Sequence, residues 1–188
     1  MIFSELLVKR RAVRDFEDRS VSVELVKTLI NDCIKAPNAG NSQAWKFIVV
    51  NNREMIKRMS DDGKAEILKD IENNPNSTMK RYEKLLRNDS FNVFYNAPCL
   101  VCIVGKNDDP TIAMDCALAG SYLMLSATAN GLATCWVALG AEIRDPTLLE
   151  ELGMPEGYRV YAPIVVGYPK VIPEMPERKE ADIIRIIS

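Results

Sequence analysis

The 188-residue chain contains no histidine. This removes the side chain whose ordinary pKa lies nearest neutrality and excludes Ser-His and Cys-His hydrolysis. Cysteine is sparse, with Cys33, Cys99, Cys102, Cys116 and Cys135 scattered through apolar surroundings. The "CLVC" pair lies inside a strand-like run, and no second ligand pair completes a zinc or iron-sulfur site. Buried, reduced thiols in a cytoplasmic protein are therefore expected. A Gly-rich phosphate loop is also missing, because "GNSQAW" and "GLATCW" lack the spacing that a phosphate-cradling turn needs. Apolar runs break before the roughly 20 residues that span a bilayer, so no membrane partner is expected. Glu5, Lys9, Arg10 and Arg11 interrupt any secretory-signal core. Nor does one sign of charge dominate: 24 Lys and Arg face 26 Asp and Glu, a net charge of -2. A near-neutral chain argues against a nucleic-acid partner, while leaving room for a local basic pocket.

The remaining composition is that of a globular protein, 47% apolar and 27% charged. One domain over residues 1–188 is expected, since a chain of this length buries roughly 70% of its unfolded surface. Residues 2–9 read as a helix with Phe3, Leu6 and Leu7 as an apolar stripe. A second helix follows, capped by Ser22, with Leu25, Leu29 and Ile30 inward and Pro37 ending it. "PNAGNSQ" is a turn by composition, and "AWKFIVVNN" is a strand. Residues 53–92 form a more solvated helical cap, broken at "NNPNS". "APCLVCIVGK" reads as a central strand, being apolar throughout. The stretch 110–130 reads as one long helix closed by Gly131, apolar nearly all round and so packed on several sides, in part against a second subunit. "ATCWVAL" is a strand, "DPTLLEEL" a short helix with Pro146 in its first turn, and "YRVYAPIVVGYPK" a final strand ending at Gly167. The tail 171–188 ends "IIRIIS", which predicts docking rather than free solvation. This order gives an α+β or three-layer α/β sandwich.

Three stretches could hold an anion or a heterocycle: Arg10, Arg11 and Arg14; residues 38–43; and Arg178 with Lys179. Guanidinium forks suit phosphate and carbonyl oxygens, and amides suit a heterocycle edge that both donates and accepts. By themselves the arginines read first as solvated charges at a helix end, ahead of an anion pocket or a nucleic-acid contact, and Asn38 and Asn41 also fit an ordinary turn that satisfies its own backbone.

"KRRAVRDF", "PNAGNSQAWKF", "GLATCW", "LGMPEGYRVYAPIVVGYPK" and "PERK", in that order and spacing, resemble the nitroreductase family of flavin-dependent oxidoreductases. The resemblance implies an α+β three-layer sandwich with a mainly antiparallel central sheet and a long buried helix at a homodimer interface. It also implies FMN bound between the subunits, NADH or NADPH as donor, and ping-pong reduction of a small aromatic or quinone-like acceptor. By position, Arg10, Arg11, Ala12 and Arg14 match one wall of the flavin site. Pro37, Asn38 and Ala39 match a loop laid along the ring from the partner subunit, and Asn41 and Gln43 fall in the same turn. Trp136, Val137, Ala138 and Leu139 match the segment behind the reactive part of the ring, and Arg178 and Lys179 match basic residues reaching the phosphate. Ala12, Ala44 and Ala138 depart from the common serine, proline and glutamate. Alternatives are a specialised family member (a dehalogenase or a flavin-modifying enzyme) or a flavin-binding redox sensor with little turnover.

Overall fold

The computed structural model describes residues 2–187. Four strands form one antiparallel sheet in the order β1-β2-β4-β3: β1 Lys46–Val50, β2 Cys99–Lys106, β3 Ala133–Trp136 and β4 Tyr158–Gly167. β2 and β4 are central, which explains why their sequences are nearly continuous in apolar residues. Helices α1 Phe3–Lys9, α2 Val23–Cys33 and α3 Arg53–Asn73 come early in the chain. The short α4 Glu83–Leu86, the long α5 Ile112–Ala129 and α6 Pro146–Glu151 follow.

Strand alternation divides the core into two layers. Leu100, Cys102 and Val104 of β2 pack with Ile56, Met59 and Ile67 of α3. Cys99, Val101 and Ile103 face the other way, onto α2 and α5. The result is an α+β sandwich of three layers. A bulge between Ile103 and Val104 skips Tyr161, so that Ile103 pairs with Ala162 and Val104 with Val160. The extra residue turns Val160 toward the α3 layer, although Ala162, Ile164 and Val166 face α5.

Local signals place the helix ends. The Ser22 hydroxyl accepts from the Leu25 N–H at 3.2 Å, and the Asp145 carboxylate accepts from the Leu148 N–H at 2.8 Å with Pro146 just inside α6. Gly131 takes φ 75°, the left-handed turn that stops α5. Two expectations need correction. The Phe3 and Leu7 part of the α1 stripe is exposed, because nothing among the described residues covers that side. On α2, Leu25 and Ile30 are only half-buried, and the inward row is Val26, Leu29 and Cys33.

α5 is the one helix among the described residues that is long and apolar enough to span a membrane by length and composition, with mean hydropathy 1.3 over 18 residues. The sequence hides this because the apolarity comes from many small residues. One side of α5 packs on α2 and the sheet. Its other side leaves Met114, Leu118 and Tyr122 in an exposed row.

Candidate functional site

Ala12 and Val13 pair with the free edge of β3, and Phe16 and Glu17 with residues 168–169 after β4. The Val13 N–H donates to the Thr134 carbonyl at 3.0 Å, Ala12 bridges Thr134 in parallel, and Phe16 bridges Pro169. Val13 and Phe16 are buried in the α3 layer, and Arg14 between them points outward. There it lines a cavity of about 760 Å3 together with Trp136, Val137, Ala138 and Leu139. Segment 53–92 supplies the opposite wall, including Glu66, Asp70, Arg81 and Tyr82. Two sequence-predicted stretches therefore meet in one pocket.

The segment after β3 is held from beneath. The Asp62 carboxylate accepts from the backbone N–H groups of Arg144 and Asp145 at 2.8 and 3.3 Å. Gly63 passes so close that a Cβ there would lie 3.3 Å from the Leu139 carbonyl oxygen. Gly140 packs on the Phe94 ring. These contacts anchor the cavity wall to α3.

The Arg14 Nε donates to the Tyr95 hydroxyl at 3.3 Å, and its guanidinium lies 5.7 Å from the centre of the Tyr95 ring. That bond, more than any nearby charge, raises the Arg14 pKa above its ordinary value. Burial pushes the Cys135 thiol up, while Arg14 and Arg10 pull it down. Among the described residues neither Arg10 nor Arg14 forms an ion pair. By contrast, Arg144 in the same cavity is paired with Glu142 at 2.7 Å. Arg14 is therefore a cation without an ion-pair partner on a cavity whose wall also carries Glu66, Asp70 and Glu142, and its free fork can accept an anion or a carbonyl oxygen.

The other predicted residues lie elsewhere in the single chain. Arg11 is 8% exposed and folds back on the carbonyls of Val8 and Arg10, closing the end of α1. It lines a separate apolar groove of about 490 Å3 beneath α1 and residues 169–175. Pro37, Asn38, Ala39, Asn41 and Gln43 form a turn outside the Arg14 cavity. Asn38 is consumed by that turn: its Oδ1 accepts from the Gln43 N–H at 2.9 Å, and its Nδ2 donates to the Ala36 carbonyl at 3.3 Å. The turn therefore presents Pro37 and the Ala39 methyl as an exposed shape. Arg178 and Lys179 are exposed in an extended tail and line neither cavity.

Sequence reasoning missed Tyr95. Tyr95 and Asn96 both hold left-handed backbone, φ 55° and 51°, which is uncommon for an aromatic residue and costs of order 1 kcal/mol. The signal was the run "FNVFYNAP", where an aromatic cluster meets an Asn-Ala-Pro turn just before β2.

Of the five thiols, all buried and free, Cys33, Cys99, Cys102 and Cys116 are pushed up to about 12 by burial. They are packing groups without nucleophilic character at neutral pH.

The nitroreductase family model matches residues 7–168. The chain belongs to the nitroreductase family. It is similar, at 30% identity over 170 residues, to an Archaeoglobus fulgidus protein that carries the provisional name NADH dehydrogenase/NAD(P)H nitroreductase, covering 88% of this chain and 84% of that one. A nitroreductase with bound FMN from Desulfitobacterium hafniense superposes with a TM-score of 0.79 at 25% identity, covering 98% of this chain and 100% of that one. One from Bacteroides fragilis, also with bound FMN, gives 0.82 at 24% identity, with 98% of each chain covered. Within this family member, Arg14 and residues 136–139 line one cavity.

Proposed function

We propose that this nitroreductase-family chain is an FMN-dependent oxidoreductase. It would take electrons from NADH or NADPH and reduce a small aromatic or quinone-like acceptor, as a cytoplasmic homodimer with FMN between the subunits. The observation that carries this reading is Arg14, a cation with no carboxylate partner among the described residues, at the edge of the cavity lined by residues 136–139. The cavity volume of about 760 Å3 is in the range of small-molecule and cofactor pockets.

The residues fit a flavin mononucleotide in donor chemistry. Because Tyr95 engages the Arg14 Nε, the two terminal nitrogens remain available as a fork for phosphate or carbonyl oxygens. Arg10 does not line the cavity, although its charge is felt at Cys135 of β3. When bound, FMN would supply the two-electron relay that no side chain of this chain can provide. The chain's own work would be to bind the group, to hold positive charge where reduction builds negative charge, and to shield the pocket with the 53–92 wall. Donor and acceptor would occupy the same slot in turn. Water can supply the protons, so the lack of histidine is no obstacle.

Dimer formation is supported by the exposed apolar row on α5, with Met114 62% and Leu118 42% exposed, and by Phe3 and Leu7 on the neighbouring α1. Across such an interface the 37–43 turn and the tail with Arg178 and Lys179 would complete a partner's site. The tail's isoleucines fit docking on a second copy; Ile184 is 98% exposed in one chain.

Titration of cofactor-free protein with FMN tests the pocket. Arg14→Ala should weaken FMN binding by about tenfold or more, consistent with losing one charge-assisted bond. Arg19→Ala should leave it unchanged, because Arg19 stacks on Tyr168 at 3.7 Å and lies outside the cavity. Equal affinity in the two variants would overturn the assignment.

A further inference from the structure

We infer that Asp115 is a positioning residue that fixes the 38–43 turn toward the cofactor without touching the cofactor itself. The inference rests on the reading of that turn as part of the flavin site. Asp115 lies in the first turns of α5 and is 3% exposed. Its Oδ1 accepts from the Ala39 N–H at 3.1 Å. Its Oδ2 faces the Thr111 hydroxyl at 3.3 Å, but that hydroxyl has a single proton and lies closer, at 2.9 Å, to Asp109. Ala39 is thus the undivided donor to this carboxylate among the described residues.

Asp115 has no ion-pair partner among the described residues. A buried, unpaired carboxylate is an expensive choice on an otherwise apolar helix face, and the α5 N-terminus offsets only part of that cost. The turn explains the choice. Its other hydrogen bonds close on itself or on Ala36: Asn38 with Gln43 and Ala36, and Ala39 with Ser42 at 3.0 Å. Gly40, Asn41 and Gln43 hold left-handed backbone at φ 57°, 55° and 48°, and the last of these is unfavourable for glutamine. Among the described residues, the Ala39–Asp115 bond is the only hydrogen bond tying residues 38–43 to another element. Without it the turn loses its external tie to the core.

The test compares wild type, Asp115→Ala and Asp115→Asn, each freed of cofactor. Two readouts are taken: FMN affinity by fluorescence quenching, and hydrogen exchange of the Ala39 amide. In wild type the Ala39 amide should be protected. Asp115→Ala should lose that protection and weaken FMN binding about tenfold. Asp115→Asn should keep both properties to within about threefold, because its amide oxygen can still accept from Ala39 while its nitrogen donates to Thr111. Unprotected Ala39 in wild type overturns the inference even if Asp115→Ala fails to fold. So does unchanged FMN affinity in Asp115→Ala, or an Asp115→Asn variant as impaired as Asp115→Ala. Wild type that binds no FMN overturns the proposed function and this inference together, so the two failures are distinguishable.

Discussion

Arg14 acquires its role from its neighbours: Val13 and Phe16 bury on either side of it and Tyr95 takes its Nε. Gly140 matters at the same scale because of what it lacks. A Cβ there would lie 2.2 Å from the ring of the fully buried Phe94, so no side chain can be added without moving that ring or the cavity wall. Gly140→Ala should destabilise the protein by about 1–3 kcal/mol, as overpacking of a tight core does; an unchanged melting temperature would contradict the packing described. Arg14 was legible in the sequence only through the resemblance that "KRRAVRDF" carries, since alone it reads as a solvated charge at a helix end. The inward use of Asn38 was legible only as one of two alternatives, since a side-chain amide can serve its own turn or a ligand with equal chemistry. Tyr95 and Asp115 were not legible, because their bonds join residues 81 and 76 positions apart.

Among the elements, every strand and the long helix follow from apolar pattern, and local punctuation marks helix ends: Ser22 for α2, Asp145 and Pro146 for α6, and Gly131 for α5. Pattern alone could not say which partner covers an apolar stripe. The α1 stripe has the period of a buried helix but leaves Phe3 and Leu7 exposed, and the bulge that reorients Val160 has no composition signal. The outer row of α5 poses the same question, and the proposed answer is a second subunit. Leu118→Lys places a charge on that row and should convert a dimer to a monomer in sedimentation. The fold itself should change in stability by no more than about 0.5 kcal/mol, as for other exposed positions. FMN affinity should fall with the dimer if the site lies between subunits; a charged variant that remains an FMN-loaded dimer would contradict the α5 interface.

For the molecule as a whole, one sheet edge carries the site. Ala12 and Val13 pair with β3, the stretch after β3 forms a wall, and α3 supports it from below. The 37–43 turn and the tail stay outside the single chain's cavity, which is the arrangement a two-subunit site requires. As proposed, this assembly holds FMN and passes electrons from a nicotinamide donor. An absorbance scan of protein purified without added cofactor, followed by anaerobic titration with NADH and with NADPH, tests this. Yellow protein is expected, with flavin bands that are bleached by at least one donor and return when a nitroaromatic or quinone is added. Colourless protein that fails to retain added FMN, or bound flavin that neither donor reduces, would contradict it.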